Sequence, residues 1–76
     1  MFQDEKIATD INSLMLEYRG KLSQSMEFVR ENCNDKEIIQ YREALGKVIG
    51  YMIIDIMEPI YEEHPDIRPP ELDRNE

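Results

Sequence analysis

The chain has 76 residues and a net charge of −8, with one cysteine, Cys33, and one histidine, His64. A lone thiol excludes an intrachain disulfide and fits a reducing compartment, and the acid excess disfavours direct nucleic-acid binding. A chain this short buries only about 60% of the surface its unfolded form exposes, which leaves oligomerisation as the expected route to a stable fold.

The first six residues, Met1-Phe2-Gln3-Asp4-Glu5-Lys6, place acids where a secretory signal needs a basic start and an apolar run. The longest apolar-rich stretch, residues 48–57, is interrupted by Gly50 and Asp55. It is about half the ~20 residues that a bilayer span requires. These features predict a cytoplasmic protein that makes no membrane contact.

Residues 4–32 contain no proline and read as one amphipathic helix. At ~100° per residue, Ile7, Ile11, Leu14, Met15, Tyr18, Leu22, Met26, Val29 and Cys33 fall in an arc roughly 120° wide. Asp10, Glu17, Glu27, Arg30 and Glu31 lie largely outside it. Gly20 weakens the middle by up to about 1 kcal/mol relative to alanine. Cys33 completes the stripe and reads as a packing residue.

The polar run 31–35 breaks the helix. Asn34, with Glu37 three residues on, resembles a capping box with Asn in place of Ser or Thr. So short a connection predicts an antiparallel two-helix hairpin.

The second helix is expected over residues 35–58, continuing past Pro59 with a kink. One stripe holds Ile38, Tyr41, Leu45, Val48, Ile49, Met52, Ile56 and Ile60, enough to cover the first helix. Beside it lies another: Ile39, Gly46, Gly50, Ile53, Ile54 and Met57, with Tyr61 at its end. Together they spread apolar or glycine surface over roughly 240°, more than one partner helix covers. The second stripe is therefore the expected interface with another chain, and Gly46 and Gly50 suggest close backbone approach there.

The last segment divides the chain into a helical hairpin, 1–64, and an extended acidic tail, 65–76. Pro65, Pro69 and Pro70 favour extended backbone. Ile67 and Leu72 are its large apolar residues, either solvated or docked on a neighbour. From residue 55 onward eight acids face two bases, a local charge of −6.

His64 stands where the chain leaves the helix, with no orienting partner in view, and reads as a linker residue. Asp55, Glu58 and Glu62 share a helical face, but no Glu stands three residues before His64 as a di-metal bundle site needs. Glycine-rich phosphate loops, zinc spacings and Ser-His-Asp orders are not found in the sequence. The expectation is an all-α hairpin that dimerises into a four-helix bundle. It would need no metal or cofactor and serve as a non-enzymatic protein–protein interaction module: a regulator, adaptor or inhibitor. The acid surplus leaves a second possibility, an acidic mimic that blocks the basic groove of a DNA- or RNA-binding protein.

Overall fold

The computed structural model describes residues 1–69, and within them the chain is an all-α hairpin. Leu72 lies outside the described residues. Helix α1, Glu5–Asn32, starts where Asp4 accepts hydrogen bonds from the backbone N–H groups of Lys6 (2.8 Å) and Ile7 (3.4 Å). Glu5 in its first turn and Arg30 in its last complement the helix dipole. Asn34 and Glu37 close the capping box in both directions. The Glu37 N–H donates to Asn34 Oδ1 at 2.8 Å, and the Asn34 N–H donates to Glu37 Oε1 at 3.1 Å. Such a cap contributes about 1 kcal/mol.

The second rod begins with α2, Asp35–Tyr51, and ends with α3, Glu58–Glu63. Between them, Met52–Met57 forms a widened π-helical turn, and the Glu58 N–H donates to the carbonyl of Ile53, five residues back. The backbone stays right-handed helical through both junctions, so the rod is continuous. Two causes favour widening here. Pro59 has no N–H to donate and, in a regular α-helix, would crowd the carbonyl of Asp55. The wider turn also takes up one extra residue, which rotates everything after it by ~100° relative to an uninterrupted helix.

The helices run antiparallel, tied about two turns from the connection by the hydroxyls of Ser25 and Tyr41 (2.6 Å). Farther from the connection the Tyr61 hydroxyl donates to Asn12 Oδ1 at 2.5 Å, with both residues buried. The tightest packing lies at that open end: Ala8, Met57, Ile60 and Tyr61, supported by Phe2, Ile11, Met15, Leu16, Ile53 and Ile56. Ala8 is small enough to let the rods approach. Met26 and Leu45 form a thinner buried layer toward the connection.

The structure departs from the sequence expectation in three places. Met57 and Tyr61, expected on an interface between chains, belong to the chain's own core. The one-residue shift at the widened turn moves them into the positions that Ile56 and Ile60 would hold in an unbroken helix. Val48, Leu14, Tyr18 and Ile7, expected to be covered by the hairpin, stay exposed. The centre of burial on α1 has turned toward Ala8 and Asn12, away from the middle of its apolar stripe.

The third departure is confined to residues 65–67, directly after His64, which are not extended. Pro65–Ile67 forms a 3₁₀ turn, where a leading proline costs no hydrogen bond. Ile67 packs against its own chain's core rather than a neighbour's. Arg68 bonds both carboxylate oxygens of Glu58 (2.9 and 3.1 Å) and lies 5.1 Å over the Tyr61 ring.

Candidate interaction surfaces

The hairpin is a slab one helix thick, measuring 45 × 26 × 18 Å. Two rods of 10–12 Å diameter lie side by side, and among the described residues no further α-helix covers either broad face. The faces differ in chemistry.

At ~100° per residue, Ile7, Leu14, Tyr18 and Ser25 point within about 40° of one another on α1. Ser25 meets Tyr41 on this side, and Val48 stands seven residues beyond Tyr41, two turns on along the same edge of α2. Ile7, Leu14, Tyr18 and Val48 are each between 40% and 50% exposed. Half-buried Ile11 and Leu22 lie between them on α1. The Lys21 ammonium sits 5.4 Å over the Tyr18 ring and pairs with Glu17 (3.3 Å), an exposed contact that can move aside.

The opposite face carries Asn12, Ser23, Met26 and Arg30 on α1. Here Met26, Leu45, Gly46 and Ile49 line an open groove of about 340 Å³, with Arg30 and Arg42 at its rim. Farther along this side, Tyr61 feels the charges of both Arg68 and Arg19. Burial holds the Tyr61 hydroxyl above its ordinary pKa, against the pull of Arg68.

The second apolar stripe of the second helix is thus divided. Ile39 and Gly46 are exposed, Ile54 is 66% exposed, and Gly50 and Ile53 are half-buried. A Cβ built on Gly46 or Gly50 would meet nothing within 4 Å, so packing inside the chain does not require either glycine. Gly50 and Ile54 join Lys47 and Tyr51 around a smaller hollow of about 270 Å³ on the outer side of the second rod.

Met1 and Phe2 meet Glu63 and His64 at the open end of the hairpin. The N-terminal ammonium bonds Glu63, which holds that carboxyl below its ordinary pKa. His64 Nε2 lies 2.7 Å from the Phe2 carbonyl and donates to it. From sequence His64 reads as a linker residue; its half-buried clasp exists only because folding brings Phe2 and His64 together. Among the described residues no group of three or more His, Cys, Asp or Glu side chains is placed to hold a metal ion. No described helix is long and apolar enough to cross a membrane.

No protein-family model matches the chain, and neither does any curated protein or solved structure.

Proposed function

We propose that the chain is a non-enzymatic protein–protein interaction module that acts as a homodimer. In this reading two hairpins stack through the face bearing Ile7, Leu14, Tyr18 and Val48 and complete a four-helix bundle. The observation that carries it is the half-exposed row of large apolar side chains on one broad face of a one-layer slab. A stable partner interface needs about 800 Å² per side. From the slab's long dimensions this face offers about 1,200 Å². Tyr18 suits such a role because aromatic residues bury large area at low entropic cost.

The test is the mass in solution at micromolar concentration. The wild-type chain should sediment at twice 9.1 kDa. The double variant Tyr18→Glu, Val48→Glu should sediment at 9.1 kDa while keeping its helical signal. A wild-type species that is folded and monomeric at that concentration overturns the reading.

A further inference from the structure

The groove on the opposite face has a chemistry of its own. Its floor is apolar, formed by Met26, Leu45, Gly46 and Ile49, and its rim carries Arg30 and Arg42. Arg30 pairs with Glu27 at 2.6 Å, both side chains being largely exposed, so that pair exchanges for a better partner at little cost. Arg42 has no carboxylate partner among the described residues. Helix spacing explains why: three and four residues away stand Ile39, Leu45, Ile38 and Gly46. In a chain of net charge −8, two guanidinium groups flanking an apolar floor make a local exception in sign. The four described lysines, by their helical angles, point away from this face.

We infer that this groove receives an acidic amphipathic helix from a protein partner. Two antiparallel helices present a trough that a third helix fills with an apolar edge. A large apolar side chain of that helix rests over Gly46, where the absent Cβ leaves the floor open. Carboxylates on either side of it meet Arg30 and Arg42, because bidentate guanidinium–carboxylate pairing favours an acidic over a basic occupant. The inference is independent of the dimer reading, since the two use opposite faces.

The test is a titration of the full chain with fluorescent synthetic helical peptides, read by anisotropy. One peptide carries leucine at helical i, i+4 and i+7 spacing with glutamate on both flanks; its twin has lysine for every glutamate. The glutamate peptide should bind at least about tenfold more tightly than the lysine twin. Gly46→Leu places a side chain in the groove, and its Cβ has no atom of a neighbouring element within 4 Å. It should weaken peptide binding by at least about tenfold while raising the melting temperature by ~4–8 °C through helix propensity. Arg42→Glu should reverse the preference between the peptides. Equal affinity for both, binding by neither, or an unchanged affinity in Gly46→Leu each overturns the inference. A fall in solution mass for Gly46→Leu would assign the groove to a second copy of this chain and also overturn it. Loss of the dimer alone appears in the mass of the Tyr18→Glu, Val48→Glu variant and leaves this titration unchanged.

Discussion

Deletion of Ile54, in a Pro59→Ala background, should leave the protein folded. The widened turn carries one residue more than a regular helix needs, and Ile54 within it is 66% exposed. Removing it lets the turn close to α-helical geometry while Met57, Ile60 and Tyr61 keep their direction into the core. The proline must go as well, because inside a regular helix it would cost about 3 kcal/mol. If the turn were not absorbing an extra residue, the deletion would swing those three buried side chains out by ~100°. At about 1.5–3 kcal/mol each, that loss is ~5–9 kcal/mol, comparable with the ~4–11 kcal/mol expected for the whole domain. The outcome is therefore close to all-or-none and readable by circular dichroism. A cooperative melt near that of Pro59→Ala alone is the expected result. Deleting Ala44 from the regular part of α2, with no turn to absorb the change, should abolish the transition. Loss of cooperative melting in the Ile54 deletion would refute the register argument.

Tyr61→Phe leaves the buried Asn12 Oδ1 without its donor and should destabilise by about 1–3 kcal/mol, measured by urea unfolding; a neutral result would mean water replaces the hydroxyl. Because burial holds the folded-state pKa of Tyr61 up, its stabilising effect is fully present below the unfolded value of about 10 and is lost as pH rises beyond it. Stability should fall more steeply above that pH in the wild type than in Tyr61→Phe, and parallel alkaline profiles would contradict the assignment. Gly20 sits exposed in the interior of α1, and a methyl group added there would meet no other atom within 4 Å, so Gly20→Ala should stabilise by up to about 1 kcal/mol. A lower melting temperature would show that the glycine has a packing role.

The boundaries of α1, the Asn34–Glu37 cap and the hairpin all follow from local signals: an unbroken helical period, one capping pair and a short polar break. The register after Tyr51 does not. Ile56 and Met57 are neighbours and both apolar, as are Ile60 and Tyr61. Either set makes an acceptable core stripe, so periodicity cannot detect a one-residue shift between them. The share of the 240° apolar spread that comes from Met57 and Tyr61 is this ambiguity, whereas Ile39, Gly46 and Ile54 stay exposed. The rotation of α1 is hidden for another reason. Its most buried positions include Ala8 and Asn12, a small residue and a polar one, which a stripe of large apolar side chains passes over. The arginine-rimmed groove is invisible in the sequence because its residues come from both helices and share a face only after pairing.

The placement of the densest packing at the open end bears on the order in which the molecule assembles. The Ser25–Tyr41 bond closes a sequence separation of 16 residues, and the Tyr61–Asn12 bond one of 49. Loop-closure entropy favours the shorter by only about 1 kcal/mol, whereas the larger share of buried side chains lies with the longer. A hairpin that zipped from its connection would gain most of its stability last. Most of the stability therefore arrives only when residues 8–12 and 57–61 come together, a contact of long sequence separation. Helix ends usually fray first, but here the outer ends of both rods are clasped and the connection is the looser pole. Amide protons around residues 8–12 and 57–61 should exchange last, and those beside the Asn34 connection early.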